Sequence, residues 1–203
     1  MTCRASRWRA VQSFTCAVAV LCLVALLIRT RVRAQGETMN TTALRTAYDG
    51  LLAVAEAIGA TPLTADVRSA VDWTLSHVAL SDRLLAAAAR DVLSGRPVTV
   101  DNRDAMDEAA IASLTGSTTH AERVDLVRRH AAGLRALVEA MPDEAAATPV
   151  RIRLVGRDGR AHPDQRITWS ELIRLRAEEH VPGHAARLRA LAAGGVGQER
   201  SGS

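Results

Sequence analysis

The 203-residue chain contains no lysine, a single Phe, a single Tyr and three Trp. So few aromatic residues disfavour a β-sandwich, and the Ala-, Leu- and Arg-rich composition favours helices. Its three cysteines, Cys3, Cys16 and Cys22, all precede Gln35. From Met39 onward there is no thiol, hence no disulfide framework and no cysteine nucleophile. One-signed charge is also missing from that region. Residues 1–38 hold six of the 26 arginines and one of the 22 acids; the rest hold 20 and 21, a net of −1 within an overall +4. Arginines and acids interleave there, and the clustered positive face of a nucleic-acid binder is lacking, so no nucleic-acid partner is expected.

The one long apolar run lies at the start. Phe14–Ile28 carries no charge and is flanked by arginines; counted from Ala10 it approaches the ~20 residues that span a bilayer. Three readings stand open for residues 1–38. They form a signal peptide cut near Val32-Arg33-Ala34. They form an uncleaved single-pass anchor touching the membrane through residues 10–28. Or translation begins at Met39, because Gln35-Gly36-Glu37 is encoded by a purine-rich stretch like a ribosome-binding site. A start at Met39 implies a cytoplasmic protein, and the other readings a membrane-anchored or exported one.

Residues 39–193 read as one all-α domain with four long amphipathic helices. The first, 42–58, places Leu44, Tyr48, Leu51, Ala55 and Ile58 on one face. The second, 65–93, is capped by Thr64 and ends at Gly95-Arg96-Pro97; one stripe runs Ala70, Thr74, His77, Ser81, Leu84, Ala88, Val92, and a parallel one Val67, Val71, Leu75, Val78, Leu85. After a long connection with a short helix at 104–114, the third covers 119–141, with Val124, Val127, Ala131, Leu134, Val138 and Met141 inward. Alternation in Val150–Val155, the Asp158-Gly159 turn and a return over Ala161–Ile167 predict a small β-hairpin before the last helix. Thr168-Trp169-Ser170-Glu171 is a capping box opening that helix, 169–193, with Ile173, Ala177, His180, His184, Leu188 and Leu191 on its stripe. Residues 194–203 are expected to be a disordered tail.

Three of the six histidines fall on the apolar stripes of two long helices: His77, His180 and His184. Residues four apart on a helix lie side by side, so His180 and His184 can share one ion and His77 can complete a facial trio. Nitrogen-only ligation suits a divalent transition metal such as Zn, Ni or Fe. The competing reading is three core histidines without a metal. A ferritin-like di-metal site is excluded, because Thr74, Val127, Ala177 and Val181, not Glu, stand three residues before His77, His130, His180 and His184. His130 is the reserve ligand; His120 and His162 are expected to be solvated. Pro182-Gly183, between the paired histidines, is expected to kink or break the helix. Asp82 reads as a solvated acid or a group behind His77. Glu178 reads as surface charge paired with Arg174 or Arg176, or as a cavity rim. Arg151, Arg153 and Arg157 read as a decorated edge strand or an anion-binding edge.

The segment Trp73-Thr-Leu-Ser-His77-Val-Ala-Leu-Ser-Asp82, followed late by His180-Val-Pro-Gly-His184-Ala-Ala-Arg-Leu-Arg-Ala-Leu191, resembles the DinB/YfiT-like superfamily of metal-dependent four-helix bundles, related to thiol-dependent maleylpyruvate isomerase-type domains. The resemblance spans residues 40–193 and rests on the order of one His in the second helix and H-x-x-x-H in the last. It implies His77, His180 and His184 as metal ligands. It implies a metal-activated hydrolase, or a transferase or isomerase using a low-molecular-weight thiol such as mycothiol or bacillithiol, acting on a small molecule; a homodimer is left open. Pro182-Gly183 and the apolar N-terminal segment depart from the family's pattern. The alternative is a non-enzymatic, membrane-tethered helical bundle with structural histidines.

Overall fold

The computed structural model describes residues 41–196. The signal, anchor and start-site expectations for residues 1–38, and the tail expectation beyond Val196, lie outside the described residues.

Four long helices carry the core. Helix α1, Thr41–Gly59, buries Leu44, Tyr48, Leu51, Ala55 and Ile58, the expected stripe. Helix α2, Ala65–Leu93, begins at Thr64, whose side chain accepts from the Val67 amide. It stops at Ser94-Gly95; Gly95 has φ +68°, the left-handed conformation that glycine adopts without strain. Short strand β1, Thr99–Asp101, is followed by helices α3, Arg103–Met106, and α4, Glu108–Ser117. The single helix expected at 104–114 is thus divided. The break is Asp107, which turns extended and caps α4 by accepting from the Ala110 amide at 2.7 Å. Helix α5, His120–Glu139, starts in a full capping box between Thr119 and Glu122. After the one-turn helix α6, Asp143–Ala146, come β2, Pro149–Arg153, and β3, Gln165–Thr168.

The last helix is a composite. Helix α7, Trp169–Leu175, is capped by Thr168. It passes into a π-helical turn, Arg176–His180, and resumes as α8, Val181–Val196. Gly194, Gly195 and Val196, expected in the tail, belong to this helix. Helix α2 packs most extensively on α5, and α1 lies against both α5 and α8. Leu44, Leu51, Leu75, Leu134, Leu188 and Trp169 are fully buried at their junction. At about 25 cal/mol per Å² of apolar area, such side chains stabilise the fold by roughly 1.5–3 kcal/mol each. Among the described residues no helix is long and apolar enough to cross a membrane.

Strands β2 and β3 form the expected antiparallel hairpin, with Val150 opposite Ile167. Strand β1 was not expected; it runs parallel to β2, Val100 beside Ile152. That makes β2 the central strand, so the edge-strand reading of its arginines is corrected. A three-residue strand with one buried side chain has too short a period to read, and its partner lies about fifty residues away.

Candidate metal centre

His77 sits in the middle of α2, 5% exposed, one turn beyond buried Thr74 on the same stripe. Its ring lies nearly parallel to that of Trp73, one turn earlier, with centroids 5.1 Å apart and planes 13° apart. Its Nδ1 lies 2.8 Å from the carbonyl oxygen of Ala105 on α3. A carbonyl only accepts, so Nδ1 carries the proton and Nε2 presents its lone pair. The crossover between α2 and α5 therefore fixes the tautomer of His77. Burial, chiefly, pushes this imidazole down to about 4, so it is neutral near pH 7.

His180 closes the π turn and His184 lies one turn on in α8. Their centroids are 4.5 Å apart, and stand 5.8 and 5.2 Å from that of His77. One ring nitrogen from each of the three lies within 4.8 Å of the others. The Nε2 atoms of His180 and His184 are 3.2 Å apart. Two nitrogens bound to one ion at ~2.1 Å are themselves separated by about 3.0 Å in octahedral and 3.4 Å in tetrahedral geometry. The observed spacing lies between those values. Burial holds both imidazoles well below the ordinary histidine range, with the Arg176 charge and neighbouring histidines adding to it. Three neutral imidazoles, one with its tautomer set from behind, fit a divalent transition ion. His180 and His184 are half-buried.

Behind the trio lies a buried polar network. Asp82, fully buried rather than solvated, accepts on Oδ1 from the Tyr48 hydroxyl and from Arg176 Nη2. Arg176 also donates to Tyr48 Oη at 3.1 Å and to Ser81 Oγ at 3.0 Å, and it is 4% exposed. Burial pushes the Asp82 carboxyl up, while Arg176 and the Tyr48 hydroxyl pull against it. Arg176 is therefore no surface partner of Glu178, which pairs with Arg174 at 2.8 Å. The signal that places Asp82 inside is its spacing. The buried row Val71, Leu75, Val78, Leu85 advances by four and three, and position 82 fills its gap.

The other histidines stand apart from the trio. His130, the reserve ligand, donates from Nδ1 to the Ala79 carbonyl on α2. His120 is half-buried, not solvated. Its Nε2 donates to the Ala55 carbonyl at 2.8 Å, and its Nδ1 lies 3.8 Å from Asp72, the partner of buried Arg123. His162 is likewise half-buried. Arg151 and Arg153 both meet Asp164, at 3.0 and 3.3 Å. Arg157 does not join them; its guanidinium lies 4.2 Å from the Trp73 ring centroid, and that of Arg187 lies 5.9 Å from it. Comparison of the chain with protein-family models, curated proteins and solved structures finds no match.

Proposed function

We propose that the four long helices form a DinB-like four-helix bundle that holds one divalent transition metal, Zn, Ni or Fe, on His77, His180 and His184. In this reading the protein is a metal-activated hydrolase, or a transferase or isomerase using a low-molecular-weight thiol. The observation that carries it is the convergence of three neutral imidazoles from two packed helices, with nitrogens within 4.8 Å. When bound, such an ion supplies Lewis acidity, acidifying a water or a thiol near pH 7. The protein's own contributions are positional. Ala105 orients His77, the Asp82–Arg176 pair ties the π turn to α2, and Trp73 walls the ring of His77.

The test is elemental analysis of the purified full-length chain, as isolated and after incubation with Zn, Ni and Fe salts. The expected result is close to one equivalent per chain. No retained metal under any of these conditions overturns the reading. The 3.2 Å contact between His180 and His184 also suits a metal-free imidazole pair. That contact supports the second reading, a non-enzymatic helical protein with structural histidines, and the same measurement separates the two.

A further inference from the structure

The Ala105 carbonyl that receives the Nδ1 proton of His77 is backbone, so its position is set by whatever holds α3. Helix α3 is a single turn of four residues, and one turn of helix is not stable by itself. Asn102, the residue before it, is bonded on every side. Its amide donates to the Arg153 carbonyl at the end of β2, at 3.1 Å, and its own carbonyl accepts from the amides of Ala105 and Met106, both at 3.0 Å. Asparagine in that position ordinarily caps the helix with its side chain. Here the side chain makes no cap bond and is turned to the hairpin instead. It donates from Nδ2 to the Val155 carbonyl at 3.0 Å and accepts on Oδ1 from the Val155 amide at 2.7 Å, 53 residues away in sequence. Two residues beyond Val155, the Arg157 guanidinium lies 4.2 Å from the centroid of Trp73, the ring that stacks on His77. Two neighbours of His77, the Ala105 carbonyl and the Trp73 ring with Arg157 on it, thus connect to one asparagine.

A metal-ligating imidazole depends on the partner of its other nitrogen, which fixes the tautomer and the orientation of the ring. We propose that Asn102 is the positioning residue for His77: by clamping Val155 it holds the Ala105 carbonyl where it receives the Nδ1 proton, so that Nε2 keeps its lone pair for the ion. The proposal rests on the metal reading and adds a residue that reading does not use. No side-chain substitution removes the Ala105 carbonyl, so Asn102 is the point at which the tie can be cut.

Two measurements on the full-length chain test this. Proton–nitrogen NMR of the metal-free protein, assigned with His77→Asn, reports which ring nitrogen of His77 carries the proton, and a zinc titration reports affinity. Wild type is expected to show His77 protonated on Nδ1 alone. Asn102→Ala is expected to show a mixture of the two tautomers and to bind zinc about tenfold more weakly, the low end of what losing a partner behind a ligand costs. Asn102→Asp keeps the acceptor for the Val155 amide and loses the donor, so it is expected to fall between, and it carries the test if circular dichroism shows Asn102→Ala unfolded. Thr64→Ala removes the cap of α2, thirteen residues before His77, and is expected to leave tautomer and affinity unchanged despite its lower stability. Either value unchanged from wild type in the variant that carries the test overturns the proposal, as does an equal change in Thr64→Ala or a wild-type His77 protonated on Nε2. The two readings fail separately. If wild type binds no zinc, the metal reading falls and the tautomer alone decides the role of Asn102; zinc binding indifferent to Asn102 sinks the positioning role alone.

Discussion

Arg176 and Asp82, 94 residues apart in sequence, form an ion pair inside the helical core, and Arg176 is also the residue at which the last helix changes its winding. Its side chain is tied to α2. Its carbonyl accepts from the amide of Val181, five residues on rather than four. The π turn so made ends at His180, two residues short of Pro182. In an unbroken α-helix the proline ring would meet the carbonyl of Glu178. The extra residue absorbs that conflict without a break, and the row Ile173, Ala177, Val181, Ala185, Leu188 stays buried on either side. The ion pair thus ties the last helix to α2 at the residue where it widens, one turn before His180.

Removing one partner of this pair leaves an uncompensated buried charge. Asp82→Ala is expected to destabilise the chain by about 3–5 kcal/mol. Replacing both, as Asp82→Leu with Arg176→Met, is expected to recover most of that loss, because two apolar side chains then fill the space without desolvated charge. Urea denaturation of the wild type, single and double variants measures it. A single variant as stable as wild type would show that the network carries no structural weight.

The ligand assignment is checked residue by residue. His77→Ala, His180→Ala and His184→Ala are each expected to bring metal content down to below about a tenth of an equivalent, since two imidazoles hold an ion far more weakly than three. His120→Ala, His130→Ala and His162→Ala are expected to keep it. The first two lose contacts to the Ala55 and Ala79 carbonyls, and are expected to lower stability instead. Metal loss confined to one of these three would relocate the site.

The metal-free chain is expected to lose stability as pH falls. His77 is held at about 4 in the fold, against an ordinary value near 6.5 in the unfolded chain. Between those values the unfolded state binds more protons, so stability is complete above pH ~6.5 and declines down to pH ~4. Over that window His77 contributes a slope of up to about 1.4 kcal/mol per pH unit. His180 and His184, also depressed by burial, act in the same direction. Denaturation midpoints at successive pH values, for wild type and His77→Asn, measure the difference. A variant with the same slope as wild type would mean that His77 is not buried neutral.

What could be read in the sequence was what repeats. The faces of α1 and α2, the Thr64 cap, the hairpin and the three inward histidines all follow from spacing of 3.6 or 2, or from a capping residue, and these are local. What escaped depends on partners distant in the chain. The parallel pairing of β1 with β2 leaves no period in three residues. Asp82 and Arg176 look like surface charges until each is seen to neutralise the other, although position 82 lies in the buried row. The π turn was announced by Pro182, but proline states a conflict and not its solution. The departure of Arg157 from Arg151 and Arg153 is decided by the indole of Trp73, which belongs to another element.

Pro182 and Gly183 separate the two functions of the last helix. Gly183 is exposed, with nothing within 4 Å of the position a Cβ would take. Gly183→Ala is therefore expected to raise stability by about 1 kcal/mol through helix propensity alone, with metal affinity unchanged. Pro182→Ala restores an amide and removes the ring that the π turn accommodates. The segment can then rewind as a regular α-helix, which turns everything on one side of it by about 100° relative to the other. His180 and His184 move together in such a rewinding if the shift falls before them, and they part from His77. Pro182→Ala is therefore expected to weaken metal binding at least about tenfold, equivalent to ~1.4 kcal/mol, while the metal-free chain becomes no less stable. Thermal melts of the metal-free variants and a zinc titration of each measure the two effects independently. If Pro182→Ala binds metal as wild type does, the π turn is held by Arg176 and Asp82 alone, and the proline is a consequence of the turn and not its cause.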